Sequence, residues 1–247
     1  MTALRRLTVM EAKLLMRDPA AMAMGLAFPT LLTLVLGAVM PGFRTPVTEF
    51  GGLRPIDIYL PVVVTLAVAT VALNSLPATV ANYRERGVLR RMATTPVRPV
   101  KLLGAQLLVA VATTATAVCL SMVVGVAVFA VPLPQQPVTF LAVFLLGAAA
   151  AFAVGLLVAA VVPTARSANA VSMAIYFPML FFAGVWTPGP IMPEPVRRIS
   201  DFTPLGALSQ AAQATWSGEP PRPLHLLVMA GYLLVVGALA ARWFRWQ

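Results

Sequence analysis

Charged residues are scarce in this chain of 247 residues, where they make up 11% of the sequence and hydrophobic residues make up 60%. An average soluble domain carries about 25% charged residues. Several charge-free runs are as long as the roughly 20 apolar residues that one membrane-spanning helix needs. The composition therefore excludes a soluble protein. It predicts an all-α membrane protein whose residues 1–247 form a single transmembrane domain.

The residues that build reactive sites are also few. Cys119 is the single cysteine and lies inside a predicted span, which excludes a disulfide framework and a cysteine metal site. His225 is the single histidine, and one histidine does not build a zinc site. Neither Lys13 nor Lys101 follows a glycine, as the Walker phosphate loop requires. We therefore predict no catalytic residue, no metal site and no cofactor in this chain.

Apolar runs predict six spans, separated by polar or proline-rich segments. Residues 1–19 carry an apolar stripe and a basic stripe at helical spacing, which predicts an amphipathic helix lying on the membrane surface. The segment 188–223 is rich in proline but contains two short helical patterns, the second with Thr203 as N-cap and Pro204 at its first position. The spans are expected at about residues 20–40, 58–82, 102–131, 138–162, 168–186 and 224–241.

The formal net charge of +10 falls on one side of this predicted topology. The side that holds both termini carries 13 basic and three acidic residues, whereas the other side carries five of each. Basic residues accumulate on the cytoplasmic side of membrane proteins. Both termini are therefore predicted to be cytoplasmic, and the positive charge indicates orientation, not nucleic-acid binding. Sixteen arginines against two lysines favour a GC-rich bacterial genome, and hence a bacterial plasma membrane.

The loop at 83–101 carries six of the 18 basic residues. On a helical projection Val88, Leu89 and Met92 share one face, and Glu85 falls in the middle of it. Prolines at 96 and 99 end this pattern, because proline cannot continue a helix. The loop is therefore predicted to be a short amphipathic surface helix. It is either a docking site for another protein or a basic helix that binds lipid headgroups.

The loop resembles the first cytoplasmic loop of ABC-2 type transporter permeases in three parts: the Glu-Arg-Gly turn at 85–87, Leu-Arg-Arg-Met at 89–92 and Thr-Thr-Pro-Val-Arg-Pro at 94–99. In that family this loop forms the coupling helix, which docks on a separate ATP-hydrolysing subunit. The segment 188–223 is similar to the family's re-entrant extracellular half-helices, with the Pro204-Leu205 step and Gly218, although Thr203 stands where the family has asparagine. The resemblance covers the whole chain.

The resemblance implies the membrane subunit of an ATP-driven exporter of the daunorubicin-resistance kind. ATP and Mg²⁺ would bind the ATPase, and two permease subunits, identical in the simplest case, would form the path in the lipid bilayer. Glu85 would accept a hydrogen bond from the ATPase. The implied docking residues are Arg84, Glu85, Arg86, Gly87, Val88, Leu89, Arg90, Arg91 and Met92 in the loop, with Glu11 on the N-terminal helix.

In the family, spans 2 and 5 face the dimer axis and line the transport path. The path residues that this implies are Asn74, Met173, Tyr176, Phe177 and Phe181. Alternatively, the span-5 side chains pack or contact lipid, and Asn74, like Gln106, forms a hydrogen bond between helices. Few polar groups lie in the spans, which favours a small hydrophobic or amphipathic cargo, either a drug or antibiotic or a lipid. An ion-coupled secondary transporter and a non-transporting membrane scaffold are the alternative functions.

Overall fold

The computed structural model describes residues 3–88, 91, 99–188 and 191–244. All regular structure within these residues is helical, and no strand occurs among them. Prolines begin most of the helices, because the first turn of a helix needs no N–H from its first residue. In chain order the helices are α1 Ala3–Met16, α2 Pro19–Val39, α3 Pro55–Glu85, α4 Pro99–Phe129, α5 Pro137–Val161, α6 Ala165–Phe182, α7 Glu194–Ser200, α8 Pro204–Trp216 and α9 Pro223–Trp243.

Five of these helices, α2, α3, α4, α5 and α9, are long and apolar enough to cross a membrane. They match five of the six predicted spans, although α3 and α4 begin about three residues earlier than predicted because their first prolines belong to the helix. The remaining predicted span corresponds to α6, which has 18 residues and does not meet the same standard. Arg166, Ser167 and Asn169 make its first turns polar. The six-span arrangement therefore stays a prediction.

Helix α3 is the centre of the bundle. The most apolar part of α3 is 89% buried, whereas the corresponding parts of α2 and α9 are 22% and 17% buried. Helices α2, α4, α5, α6 and α8 pack around it. The sequence of this central part is apolar on every side, as expected of a helix that is surrounded by other helices.

Small residues let α5 approach α3 closely. A Cβ atom added to Gly155 of α5 would lie 1.9 Å from the carbonyl oxygen of Ala72 in α3. Ala72 belongs to a π-helical turn, Thr70–Ser75, that interrupts α3. Such turns occur often at functional positions in helices. A larger side chain at Gly155 would therefore force the two central helices apart.

The helices alternate in direction, which gives the bundle two ends. At the first, named here the loop end, the last turns of α3, α5 and α9 meet the first turn of α6 around Arg84 and Glu85. At the second, named the short-helix end, the start of α3 meets the end of α4, and α7 and α8 lie beside them. Both α1 and the end of α9 lie at the loop end.

The two short helices predicted in the proline-rich segment are present as α7 and α8. Thr203 caps α8 as predicted, since its Oγ1 accepts a hydrogen bond from the N–H of Gly206 at 3.1 Å. Leu205 and Leu208 of α8 are fully buried against the bundle. Helix α8 is therefore part of the core and is not a surface loop.

Candidate functional site

The predicted docking loop does not form a single helix with the residues before it. Helix α3 continues to Glu85, and Gly87 then adopts a left-handed conformation with φ of +67°. Glycine takes this conformation without the strain that a side chain would cause. The N–H of Arg91 bonds to the carbonyl of Gly87 at 3.0 Å, so a new helical turn begins after the break. The prediction that Glu85 shares a helix face with Val88 is therefore wrong. Leu89, Arg90 and Met92 lie outside the described residues.

Arg84 of α3 contacts the end of α5 and the residue that follows α9 at the loop end. Its Nη1 donates to the carbonyl oxygens of Ala159 at 2.9 Å and Val162 at 2.7 Å, at the end of α5. Its guanidinium lies 5.3 Å from the centre of the Phe244 ring, beyond the end of α9. A cation at the end of a helix satisfies carbonyl groups that have no partner within the helix. Within this chain, Arg84 therefore has a structural role in addition to any role in docking.

Glu85 joins the loop end of α3 to the start of α6. Its Oε2 accepts a hydrogen bond from the N–H of Ala165 at 3.0 Å, in the first turn of α6. The N-terminus of a helix favours a carboxylate, because its N–H groups and the helix dipole both attract negative charge. The donor that Glu85 meets here belongs to its own chain, whereas the sequence predicted a donor on the ATPase. The side chain remains exposed.

Two further docking candidates, Arg86 and Arg91, are exposed at the same end. A side-chain N–H of Arg91 donates to the carbonyl of Arg86 at 3.2 Å, which holds the two residues on one surface. Val88 is half-buried beside them. The described part of the loop therefore presents one carboxylate and two guanidinium groups on the outside of the loop end.

Glu11 lies in a different environment from these residues, because its side chain is buried, with 4% exposure. The hydroxyl of Tyr83 in α3 donates to Glu11 Oε2 at 2.7 Å, and the side-chain amide of Gln106 in α4 donates to the same oxygen. Burial raises the pKa of the Glu11 carboxyl above its ordinary value, while the two hydrogen bonds act in the opposite direction. A side chain so deeply buried offers no surface to another subunit, so the structure does not support Glu11 as a docking residue. Gln106 forms the hydrogen bond between helices that the sequence predicted.

The predicted path residues fall into two groups. Tyr176 of α6 is buried, and its hydroxyl lies 2.9 Å from Thr70 Oγ1 in the π-helical turn of α3. Asn74 is half-buried in that same turn. The other three candidates are spaced four residues apart on the outer face of α6, where they are between 38% and 53% exposed. They are Met173, Phe177 and Phe181.

The short-helix end contains polar contacts that sequence reasoning missed. Arg54 pairs with Asp57 at 2.7 Å and donates to the carbonyls of Phe129 and Ala130 at 3.0 Å each, at the end of α4. His225 is buried, with its Nε2 3.0 Å from Asp201 Oδ1. The partners of Arg54 and His225 are 24 to 76 residues away, apart from Asp57. Only the pair of Arg54 with Asp57 could have been predicted from neighbouring residues, because oppositely charged side chains three positions apart lie close together on a helix.

No group of three or more His, Cys, Asp or Glu side chains in the described ranges is arranged to hold a metal ion. The charged residues instead gather at the two ends of an apolar bundle. A comparison with protein-family models matches residues 44–242 to the ABC-2 family transporter protein. The chain belongs to the ABC-2 transporter family. A search of curated proteins found no match.

Family membership fixes the general role of this permease. ABC-2 permeases are the membrane component of an ABC transporter and are not themselves catalytic, and they imply an ATPase partner. The five apolar helices agree with a multi-pass membrane protein. The family match includes α3, the loop after it, α6 and the two short helices, which are the elements described above.

Proposed function

We propose that this permease moves a small hydrophobic or amphipathic compound, such as a drug, an antibiotic or a lipid, out of a bacterial cell. Six helices cross the plasma membrane with both termini in the cytoplasm, and α6 is the fifth span. The ATPase is a separate chain that binds ATP and Mg²⁺. Two copies of the permease enclose the path.

The observation that carries this proposal is the pair of neighbouring residues at the loop end. Arg84 is bonded to the end of α5 and lies against Phe244, and Glu85 is bonded to the start of α6. The loop that follows is the family's docking segment, and its described part exposes Arg86 and Arg91. A movement of the loop that is driven by an ATPase would therefore be transmitted to the ends of α5 and α9 through Arg84, and to the start of α6 through Glu85.

The outer face of α6 supports the position of the path. Met173, Phe177 and Phe181 form an exposed apolar stripe that matches the cargo class, and a second copy facing this stripe would enclose it. Tyr176 and Asn74 do not join the stripe, and we assign them to the contact between α6 and the π-helical turn of α3. At the other end, α7 and α8 are the re-entrant half-helices on the extracellular side.

Transport in inside-out vesicles tests the proposal. The permease is co-expressed with its ATPase, and uptake of a panel of amphipathic dyes is measured with ATP. We expect uptake that disappears when the phosphate-loop lysine of the ATPase is replaced, and that persists when a proton uncoupler is added. An ion-coupled secondary transporter gives the opposite pattern, because it needs the gradient and not the ATPase. A membrane scaffold gives no uptake under either condition.

A further inference from the structure

A cavity of about 390 Å³ lies at the loop end, between α1, the start of α2, α3 and α4. The apolar residues of its lining include Leu14, Leu15 and Val109. The charged residues of its lining are Glu11, Asp18 and Arg86. Its volume falls within the range of about 300–1,000 Å³ that is usual for small-molecule sites. The cavity is separate from the outer face of α6, so the inference drawn from it does not depend on the proposed transport path.

Glu11 is the unusual group in this cavity. Both of its hydrogen bonds, from Tyr83 and from Gln106, go to Oε2. Oε1 is buried, and no described residue donates to it. Buried polar atoms in proteins nearly always have a partner, and leaving one without a partner costs about 1–3 kcal/mol. The arrangement therefore holds one carboxylate oxygen in place for a donor that the described residues do not supply.

The charges around the cavity indicate which donor fits. Two carboxylates, Glu11 and Asp18, face it with one guanidinium, that of Arg86, so the balance is negative. A protonated amine offers hydrogen-bond donors and a compensating positive charge, and charge-assisted hydrogen bonds are the stronger kind. Leu14, Leu15 and Val109 provide contact for an apolar chain attached to that amine.

We propose that this cavity binds an amphipathic molecule whose polar head is a protonated amine, held by Glu11. The amine donates to Oε1 while Tyr83 and Gln106 fix the carboxylate through Oε2. The apolar part of the molecule lies along Leu14, Leu15 and Val109. Two sources offer this chemistry, the headgroup of an aminophospholipid and a soluble amphipathic amine.

Photo-crosslinking tests the proposal on the full chain in nanodiscs of phosphatidylcholine and phosphatidylglycerol. The probes are octylamine and octanol, each carrying a diazirine on the alkyl chain, and cross-linked peptides are located by mass spectrometry. We expect the amine probe to label the segments around 14–15 and 109–110 about tenfold more than the alcohol, which corresponds to one charge-assisted hydrogen bond. Glu11→Gln should reduce amine labelling to the level of the alcohol.

Two control variants separate binding from misfolding. Glu85→Gln removes an exposed carboxylate at the same end without altering the cavity, and labelling should not change. Ala21→Phe fills the cavity from α2 without touching Glu11, and labelling by both probes should fall. A melting curve of each variant shows whether it is folded.

Equal labelling by the two probes would overturn the proposal, because it would show that the cavity does not favour an amine over an alcohol of the same chain length. Undiminished amine labelling in folded Glu11→Gln would overturn it as well. A second lipid mixture, containing phosphatidylethanolamine, distinguishes the sources. If the lipid headgroup occupies the cavity, amine labelling falls in this mixture. If the site selects soluble amines, labelling stays the same, and in both cases the amine site stands.

Discussion

An arginine near each end of α3 caps the end of another helix, but the two arginines have different neighbours. Arg54 at the start of α3 bonds to two carbonyls at the end of α4, and Arg84 near the other end of α3 bonds to two carbonyls at the end of α5. Arg54 also has an acidic partner, Asp57, at 2.7 Å. Arg84 lies over the ring of Phe244. The same type of cap therefore includes an ion pair at the short-helix end and a contact with an aromatic ring at the loop end.

This difference extends to the neighbouring residues. At the short-helix end, His225 pairs with Asp201. At the loop end, Arg86 and Arg91 are exposed, and Glu11 has one oxygen without a donor among the described residues. Exposed cations and an incompletely bonded acid suit an end that meets other molecules, such as an ATPase, anionic lipid or a bound amine.

The largest effect is expected from labelling the two ends with a membrane-impermeant maleimide. In a Cys119→Ser background, Thr48→Cys and Ser217→Cys at the short-helix end should react from outside intact cells, because the topology places that end outside. Thr94→Cys in the loop should react only after the cells are opened. Reaction of Thr94→Cys in intact cells would show that the predicted orientation is wrong.

The next largest effect is expected for Arg54→Met. The change leaves carbonyls of α4 without donors and Asp57 without its cation, so unfolding should become easier by roughly 2–5 kcal/mol. Denaturant unfolding in detergent measures this change. Arg197→Met is the matched control, since its pair with Glu194 is exposed and should contribute nothing measurable. Similar stability for the two variants would show that the cap on α4 is unimportant.

Arg84→Met should have a smaller effect on stability, about 1–3 kcal/mol, which is the usual cost of leaving buried carbonyls such as those of Ala159 and Val162 without their donor. The same unfolding assay applies. Transport should fall more than stability does, since Arg84 also connects the loop to α5 and Phe244 in the proposed mechanism. A loss of stability with full transport in the remaining folded protein would limit Arg84 to a structural role.

The smallest effect is expected for the pH dependence of Glu11→Gln. Burial raises the pKa of the Glu11 carboxyl above its ordinary 4.5, so the folded protein holds this proton to a higher pH than the unfolded chain does. The stability that the proton provides is complete below pH 4.5 and is lost as the pH rises through the pKa of the folded state. Melting temperatures across this range should fall with rising pH in the parent relative to Glu11→Gln. Parallel curves for the two proteins would contradict the assignment.

Much of the fold follows from local features of the sequence. Five spans could be placed because each is an apolar run that begins shortly after a proline, and the Thr203 cap because its neighbours in sequence complete it. The error in predicting the helix face of Glu85 also has a local cause. A helical projection across residues 85–92 assumes one continuous helix, whereas the chain breaks the helix at Gly87. Placing the break at the glycine would have assigned Glu85 to α3.

The role of Glu11 could not be predicted in this way. The apolar and basic stripes of residues 1–19 predicted a helix on the membrane surface, and nothing in α1 indicates a polar partner for Glu11. Tyr83 and Gln106 lie 72 and 95 residues further along the chain, so only the packing of α1 against α3 and α4 brings the three together. The caps formed by Arg54 and Arg84 depend on such distant contacts for the same reason.

Retention of the ATPase by charge-reversed variants tests the central claim, that the loop end is the docking end. The permease carrying Arg86→Glu and Arg91→Glu is co-expressed with its ATPase, purified in mild detergent, and compared with the permease carrying Arg197→Glu and Arg198→Glu at the short-helix end. Arg86, Arg91 and Arg198 are exposed and Arg197 is half-buried, and none of the four lies in the core, so neither pair of changes should disturb it. The first variant should lose the ATPase, whereas the second should retain it as the parent does. Full retention by the loop-end variant, or equal loss from both, would show that the loop end is not the docking end.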